Sequence, residues 1–196
     1  AAVIGGRNIT LAPNNFTFLA RKLHPYEMRG TSILSRLWRI LMFEDCFPAG
    51  VSVAQPGGAS TPIEALRAGD PVLNRFGRPA VVEAAVMKPG DGVLRRITLA
   101  DGRVVLCTRS HRWPVRGLDG AEVKLEARAI RPGQALMSPV NDRFVHHIVA
   151  AVDDVASSVP VYGISVSGDR SYIADGLSTY NSLFNAAIAT ARRRAC

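Results

Sequence analysis

The middle of the chain carries short apolar runs that are separated by Gly and Pro. The segment "GVLRRITLADGRVVLCT", residues 92–108, has two β-rich runs on either side of Asp101-Gly102. This pair suits a type I′ turn, so the segment predicts a β-hairpin.

Further strands are predicted on both sides of this hairpin. "PVLNRFGRPAVVEAAVM", residues 71–87, contains two strand-like runs around Gly77, and "PVYGISVSG" and "RSYIADG" are two more around Gly168-Asp169. Short strands between frequent turns are typical of an all-β domain.

The ends of the chain have helical spacing instead. In residues 31–45, "TSILSRLWRILMFED", apolar residues recur every three or four positions, and Thr31 or Ser32 can cap the helix. It should end near Cys46, because "CFPAG" brings a Pro and a Gly. Residues 182–196, "SLFNAAIATARRRAC", are Ala-rich with their Arg residues placed late, where they suit the helix dipole.

These two predicted helices keep one phase when the middle of the chain is removed. Joining Asp45 to Ser182 places Leu183 seven residues after Ile40, which is about two helical turns. The pattern predicts one helix that is interrupted by a long insert, with segments 1–45 and 182–196 as flanks and 46–181 as the insert.

The insert also contains an internal sequence repeat. "IEALRAGDPVL", residues 63–73, resembles "ARAIRPGQALM", residues 127–137, with Arg67 and Arg131 at matching positions. We interpret this as a duplicated β unit, which predicts pseudo-twofold symmetry.

Composition limits the class of protein. The chain has 196 residues, of which 47% are hydrophobic, enough for one domain with appendages. It has no run of about 18 apolar residues, so no membrane span is predicted. The N-terminus does not resemble a signal peptide, and the missing Met suggests a fragment of a longer chain. Three scattered cysteines, Cys46, Cys107 and Cys196, predict a reducing cytosol rather than a disulfide framework.

The net charge of +8 belongs mainly to the flanks. The insert has 15 Lys and Arg against 13 Asp and Glu, whereas the much shorter flanks have 9 against 3. A solvated basic helix face explains this excess, and contact with nucleic acid or another polyanion is the alternative.

The residues at the two ends of the insert have complementary chemistry. The Cys46 thiol can attack the Asp45 carbonyl and form a thioester. The Asn181 side-chain amide can attack its own carbonyl and cut the bond to Ser182, whose hydroxyl can accept an acyl group from a thioester. Each residue type alone is common, but their combination at the two ends of the insert indicates that the chain can cut and rejoin itself there.

The segment "CTRSHRWPV", residues 107–115, supplies assisting groups. His111 can protonate the departing nitrogen of Cys46 near neutral pH, and Thr108 can donate a hydrogen bond to the developing oxyanion.

These segments together resemble an intein, a protein-splicing element with the Hint (hedgehog/intein) fold. Four stretches carry the resemblance in order across residues 46–181: "CFPAGVSV", "TPIEALRAGDPVL", "VVLCTRSHRWPV" and "VYGISVSGDRSYIADGLSTYNS". The resemblance implies a compact all-β fold in which both junctions meet in the centre. Residues 116–145 leave no room for a homing endonuclease, so the insert resembles a mini-intein.

The resemblance also implies a mechanism that acts in cis on the flanks, without cofactor, metal or small-molecule substrate. Cys46 takes the Asp45 acyl group with help from Thr108 and His111, and Ser182 attacks the thioester. Asn181 then cyclises and frees the insert, and an Asp45–Ser182 peptide bond remains. Such an element turns over once and is not an ordinary enzyme.

The flanks "LHPYEMRGTSILSRLWRILMFED" and "SLFNAAIATARRR" are similar to phage portal-type DNA-packaging proteins. This implies an oligomeric host protein near DNA, made in the cytoplasm of the host cell and carried in the virion after splicing.

Three positions depart from the family pattern, all in the later steps. Tyr180 and Arg170 stand where the family usually has His, and Gly163 stands where Asp or Cys is common. Arg170 and Tyr180 can substitute by hydrogen bonding, since Arg stabilises an oxyanion without proton transfer. His146-His147, expected as a surface loop pair, are the other candidate substitutes.

Several alternatives remain open from the sequence. Hedgehog-type or bacterial intein-like autocleavage without efficient ligation is the main one, because the departures affect the later steps. A Cys46/His111 protease would need neither Asn181 nor Ser182. A zinc site from Cys107, His111, His146 and His147 lacks the usual paired spacing. A plain DNA-binding module would account for the basic flanks alone.

Overall fold

A computed structural model describes residues 2–4, 7–9 and 45–181 of the chain. The predicted helices over 31–45 and 182–196 therefore lie outside the described residues, apart from Asp45, and so does Ser182. The chain divides into two structural units, Ala1–Arg39 and Ile40–Cys196. In the first unit, strands β1 (Ala2–Ile4) and β2 (Arg7–Ile9) form an antiparallel pair.

The described part of the second unit is built from strands, as the sequence predicts, and also has three short 3-10 turns. The strands of its first half are β3 (Phe47–Pro48), β4 (Ser52–Ala54), β5 (Ser60–Pro62), β6 (Pro71–Leu73), β7 (Pro79–Lys88), β8 (Gly92–Leu99) and β9 (Val104–Thr108). Those of its second half are β10 (Arg112–Arg116), β11 (Glu122–Glu126), β12 (Ala135–Val140), β13 (Arg143–Ser157), β14 (Val161–Val166), β15 (Ser171–Ala174) and β16 (Leu177–Tyr180). The 3-10 turns are Pro56–Gly58, Ile63–Ala65 and Ala127–Ala129.

These strands form three antiparallel sheets. A six-stranded sheet has the order β11-β10-β12-β13-β8-β9, and two four-stranded sheets have the orders β3-β14-β7-β6 and β16-β15-β4-β5. Apolar side chains from all three sheets form the main core, whose largest members include Trp113, Tyr172 and Phe47. Cys46, Leu94 and Val161 form a second, smaller buried cluster. Cys46 lies immediately before β3, and Asn181 follows β16.

The predicted hairpin of residues 92–108 is confirmed, but its turn differs from the expected type. β8 and β9 pair with Leu94 opposite Thr108. The Gly102 N–H donates to Leu99 O (3.0 Å), and of the four turn residues only Gly102 has a positive φ (87°). A type I′ turn needs a positive φ at both central residues, so this loop is a type I turn that ends on a left-handed glycine.

The internal sequence repeat corresponds to a duplicated structural unit. In the first copy, Arg67 Nη1 donates to the carbonyl oxygens of Glu64 (3.0 Å) and Leu66 (2.8 Å). The Arg67 main-chain N–H donates to Asp70 Oδ2 (2.7 Å). These bonds close a compact corner immediately before β6.

The second copy repeats these bonds around Arg131. Its Nη1 donates to the carbonyl oxygens of Arg128 (2.9 Å) and Ile130 (3.1 Å). The Arg131 N–H donates to Gln134 Oε1 (2.8 Å), before β12. A shared Arg-x-Gly turn could have arisen by chance, but the same bonds in the same order indicate a true repeat.

The two copies also exchange strands. The hairpin β6–β7 is completed by β14 from the second copy, and the hairpin β12–β13 is completed by β8 from the first. Each half therefore supplies a strand to the sheet of the other half, which gives the predicted pseudo-twofold symmetry. The exchange brings the start and the end of the described domain to the same core.

Candidate functional site

Cys46 is held at the upstream junction by the last residue of β9. The Cys46 N–H donates to Thr108 Oγ1 (3.1 Å), and the Cys46 carbonyl accepts from Thr108 N (2.9 Å) and Oγ1 (3.2 Å). Cys46 is fully buried. The Thr108 hydroxyl thus contacts the nitrogen of the Asp45–Cys46 peptide bond directly.

Burial also sets the state of the thiol. It raises the pKa of Cys46 to about 12, with opposing effects from Lys88 and Asp45. The thiol is therefore protonated at neutral pH, and any attack on the Asp45 carbonyl requires a group that removes its proton.

Asp45 is buried next to Arg112, the first residue of β10. Its Oδ1 accepts from Arg112 N (2.9 Å) and Nε (3.1 Å), and its Oδ2 accepts from Nε (3.1 Å) and, more closely, from Nη2. Burial raises the pKa of the Asp45 carboxyl, and the hydrogen bonds and charge of Arg112 oppose that rise. Asp45, the residue before Cys46, is thus bound through its side chain by the first residue of β10.

His111 lies in the tight turn between β9 and β10 and is fully buried. Its ring packs against Phe47 and Trp113, with centroid distances of 4.2 and 5.0 Å. Burial, and secondarily the charge of Arg112, lowers the pKa of His111 to about 3. His111 is therefore neutral at pH 7, so each of its two ring nitrogens has a distinct role.

Thr179 determines which of the two nitrogens carries the proton. His111 Nε2 lies 2.5 Å from Thr179 Oγ1, and that hydroxyl can also donate to the carbonyls of Arg112 (3.3 Å) and Tyr180 (3.4 Å). If the hydroxyl donates to a carbonyl, Nε2 carries the hydrogen and donates to Oγ1. His111 Nδ1 has no partner among the described residues, and a buried acceptor without a partner costs less than a buried N–H without one. We therefore assign the Nε2–H tautomer, which leaves the lone pair of Nδ1 open.

The downstream junction is formed by Asn181, which is almost fully buried. Its main-chain N–H donates to Arg170 O (2.9 Å), and its Nδ2 donates to Val166 O (3.2 Å). Asn181 Oδ1 has no partner within the described residues. The two bonds fix the backbone and the side-chain nitrogen, which is the atom that attacks when an Asn cyclises.

Arg170 contributes to this junction through its backbone. It has a left-handed φ of 57°, uncommon for a non-glycine residue, and this conformation belongs to the turn whose carbonyl holds Asn181. Its side chain is half-buried, and its charge is among the causes that lower the pKa of Lys124. Gly163, the third departure from the family pattern, is buried in β14 opposite Val86.

Tyr180 lies beneath two cations. Lys124 Nζ is 4.1 Å from the centroid of its ring, and the Arg75 guanidinium carbon is 5.3 Å away. Burial raises the pKa of Tyr180, with Arg75 opposing, so its phenol is neutral. Burial, followed by the charge of Arg112, lowers the pKa of Lys124. Cation–π contact is the interaction that a tyrosine makes here and a protonated imidazole would not.

The other proposed substitutes lie elsewhere. His146 and His147 are not in a loop but in β13, opposite Met137 and Leu136. His147 contacts Ser138 Oγ (2.8 Å) and Arg103 Nη2 (2.6 Å). Because Arg103 donates to His147 Nδ1, Nε2 carries the proton and cannot act as a base toward Ser138.

Metal-binding groups and membrane-spanning helices are two further features that bear on function. Within residues 45–181 and the two N-terminal strands, no group of three or more His, Cys, Asp or Glu side chains is arranged to hold a metal ion. No helix of the described residues has the length and apolar character needed to cross a bilayer.

The structure also reveals residues that sequence reasoning missed: Arg112, Thr179, Lys124 and Arg75. Thr179 could have been found, because it is two residues before Asn181, and alternate residues of an extended segment share one face. Arg112 directly follows His111, but nothing local indicates its partner. The contacts of Arg75 and Lys124 depend on strands far apart in sequence.

No protein-family model matches the chain, and no curated protein does either. Solved structures, in contrast, share its fold, and the described domain has the Hint fold.

The structural neighbours include inteins. The gp41-1 intein is 22% identical over 69% of this chain and 98% of its own, with a TM-score of 0.58. The TvoVMA intein is 15% identical over 71% and 99% of the two chains, with a TM-score of 0.63. The bacterial intein-like domain from Clostridium thermocellum is 21% identical over 70% and 99%, with a TM-score of 0.60. Each neighbour is matched over nearly its full length, which is a likeness of fold.

Proposed function

We propose that residues 46–181 excise themselves by autocatalytic protein splicing and join Asp45 to Ser182. One observation carries the proposal: a continuous set of contacts links the two ends of the insert. Asp45 bonds to Arg112, the neighbouring His111 bonds to Thr179, and Thr179 is two residues from Asn181. Splicing requires both junctions at one site, and a protease using Cys46 and His111 does not.

In the first step, His111 moves a proton from the thiol to the departing nitrogen. Sulfur bonds to the Asp45 carbonyl carbon first, and the S–H proton then becomes acidic enough for the open Nδ1 of His111 to take it. The free Cys46 thiol, whose pKa is about 12, would not give this proton to a ring whose pKa burial holds at about 3. The imidazolium that results is short-lived and strongly acidic. It therefore protonates the Cys46 nitrogen readily as the C–N bond breaks and the thioester forms. Thr108 holds that nitrogen in place through its hydroxyl.

The later steps involve Ser182 and Asn181. The Ser182 hydroxyl attacks the thioester, so that the Asp45 acyl group moves from sulfur to oxygen. Asn181 Nδ2 then attacks the Asn181 carbonyl carbon, and the bond to Ser182 breaks with a proton passing to the Ser182 nitrogen. The freed amine takes the acyl group from the ester oxygen and forms the peptide bond.

The departures from the family pattern affect the cyclisation step. Tyr180 keeps the positive charges of Lys124 and Arg75 beside the downstream junction, and those charges favour the oxyanion that develops on Asn181. Arg170 holds the Asn181 N–H through its carbonyl. We propose that these groups replace the two missing histidines.

Intact-mass analysis of the chain, tagged at both ends and expressed under reducing conditions, tests the proposal. We expect a joined flank product and a free insert of residues 46–181, both abolished by Cys46→Ala and by Asn181→Ala. Cys107→Ala, which removes the other buried cysteine of the described region, is the matched control and should give the wild-type products.

Hedgehog-type or bacterial intein-like autocleavage is the second candidate, favoured by Tyr180, Arg170 and Gly163 in place of the usual residues. It predicts separate flanks without the joined product. A chain that stays unprocessed under all conditions would contradict both candidates.

The host protein is a separate proposal. The basic flanks and their similarity to portal-type DNA-packaging proteins support an oligomeric phage protein near DNA. The nucleic-acid affinity of the joined flanks tests it, and affinity independent of salt concentration would count against a phosphate contact.

A further inference from the structure

The insert binds the side chain of Asp45 more extensively than splicing requires. The residue before Cys46 has to supply only its carbonyl group to the reaction. Yet both carboxylate oxygens of Asp45 accept hydrogen bonds from Arg112, through its main-chain N–H and its guanidinium. The side chain of Asp45 is fully buried.

The Arg112 backbone is itself fixed near the reacting groups. It directly follows His111, and its carbonyl lies 3.3 Å from the Thr179 hydroxyl. The position of the guanidinium is therefore set by the same strands that orient His111. Lys124 adds a second positive charge, which contributes to lowering the pKa of Asp45 against the effect of burial.

The carboxylate of Asp45 is a nucleophile that can attack the thioester once it has formed. An Asp oxygen can reach its own carbonyl carbon in a five-membered ring, as the amide of Asn181 does. Attack would form a C–O bond and break the C–S bond, and the Cys46 thiolate would leave with the electron pair and take up a proton. Breaking the C–S bond releases the upstream flank as a cyclic anhydride, and water then opens the anhydride to leave two free carboxyl groups on Asp45.

We propose that Arg112 is a positioning residue that holds the Asp45 carboxylate away from this attack and so protects the thioester until Ser182 reacts. Charge-assisted hydrogen bonds occupy the lone pairs that would attack, and they fix the side-chain torsion. The inference rests on the proposed function only as far as the thioester, which hedgehog-type cleavage forms as well.

A simpler explanation is that Arg112 only neutralises a buried charge, since breaking a buried ion pair destabilises a protein. The two explanations differ in their products. Loss of a structural pair lowers all products together, whereas loss of protection shifts them from the joined flanks to the free upstream flank.

The experiment compares the full-length chain with Arg112→Met, Asp45→Ala and the double variant by intact mass. For Arg112→Met we expect the ratio of free upstream flank to joined product to rise about tenfold or more, because the variant loses the charge-assisted guanidinium bonds to the carboxylate and keeps only the main-chain one. In the double variant the ratio should return to that of Asp45→Ala alone, because the attacking carboxylate is absent. The double variant removes both members of the pair, so it leaves no buried charge unpaired.

Reaction in H₂¹⁸O gives a signature of the anhydride. Hydrolysis of a thioester places ¹⁸O only in the α-carboxyl of Asp45, whereas opening of the anhydride also places it in the side-chain carboxyl, and fragment masses separate the two. Arg112→Gln, a polar replacement, repeats the test if the Met variant is unstable. An unchanged ratio in the variants, label confined to the α-carboxyl, or an equally high ratio in the double variant would overturn the inference.

Failure of splicing and failure of the protective role of Arg112 give different results in this experiment. If the wild-type chain gives no joined product, splicing is wrong whatever Arg112 does, and the comparison then uses the free flank formed per unit time. If the wild type splices and the Arg112 variants do so equally cleanly, only the protective role fails.

Discussion

A single hydroxyl, that of Thr179, connects the two junctions at the scale of individual residues. It sets the tautomer of His111 from a strand that ends at Tyr180, next to Asn181. In the proposed mechanism the acid–base group of the first step therefore depends on the last strand of the insert. Hydrogen bonds to the second nitrogen of a histidine commonly fix its orientation and basicity. The proximity of Thr179 to Asn181 is visible in the sequence, but its bond to His111 is not, because the two residues are 68 positions apart.

Replacing Thr179 by Val keeps the shape and removes the hydroxyl. We expect the first step to slow by about tenfold or more, because His111 then loses the partner that leaves Nδ1 open. The rate of thiol-induced cleavage between Asp45 and Cys46, measured in an Asn181→Ala background, reports this step. Thr179→Ser is the control and should keep most of the rate, and a Val variant as fast as the parent would refute the tautomer assignment.

Tyr180 offers a second residue-scale prediction, which separates its ring from its phenol. Tyr180→Phe keeps the face beneath Lys124 and Arg75, so cleavage after Asn181 should continue within about threefold of the parent. Tyr180→Leu removes a cation–π contact of about 1–2 kcal/mol, so cleavage should slow by about 5- to 30-fold. The measurement is release of the downstream flank in a Cys46→Ala background. Equal losses in both variants would assign the effect to the phenol instead.

At the scale of elements, the sequence predicts most of what local chemistry controls. The strands over 71–87, 92–108 and 161–174 follow from alternation and from Gly and Asp turns, and the repeat follows from the matching segments around Arg67 and Arg131. Asp101-Gly102 suggested the wrong turn type because only Gly102 adopts a left-handed conformation. Pairing across the repeat could not be predicted, since β7 meets β14 and β8 meets β13 through long-range contacts that leave no local pattern.

In the candidate site, too, local sequence predicts some residues, and long-range contacts determine the others. The sequence proposes Cys46, Thr108, His111 and Asn181 because their residue types and order have chemical meaning, and their roles stay predictions. Arg112 and Lys124 were missed because an Arg or Lys on a strand is ordinary until its partner is known. His146 and His147 were expected in a loop, yet they lie within β13 and pair with β12.

The duplicated corners give a prediction about stability. Gly69 and Gly133 occupy matching turns with φ of 99° and 89°, where a Cβ is strained. Gly69→Ala should lower the free energy of unfolding by about 1–2 kcal/mol, although nothing lies within 4 Å of the added carbon. Asn tolerates the left-handed region better, so Gly69→Asn should cost less. Urea unfolding in a Cys46→Ala, Asn181→Ala background ranks the two, and an equal or reversed order would contradict backbone strain as the cause.

For the whole molecule, His111 makes stability depend on pH. Its pKa is about 3 in the folded protein and 6.5 in ordinary surroundings. Between these values the unfolded chain binds the proton and the folded chain does not, so stability is greatest above pH 6.5 and falls as the pH decreases. The slope approaches about 1.4 kcal/mol per pH unit.

Unfolding in urea at pH 7.5 and pH 5 measures this slope, in the same inactive background. His111→Gln should flatten it, while His146→Gln, which alters an exposed histidine of β13, should leave it unchanged. If the two substitutions have the same effect on the slope, another group is responsible.

The hydrogen bond between His111 and Thr179 also affects when the proposed reaction can begin during translation of the chain. The ribosome makes Cys46 long before it makes the last strand, so the thiol and the bond it attacks coexist through most of the translation of the insert. During that interval His111 has no Thr179 to select its tautomer, and Arg112 lacks the strand that packs beside it. Under the proposed mechanism the Asp45–Cys46 amide therefore stays intact in the nascent chain, and the chemistry begins only when the proposed acceptor, Ser182, is about to follow.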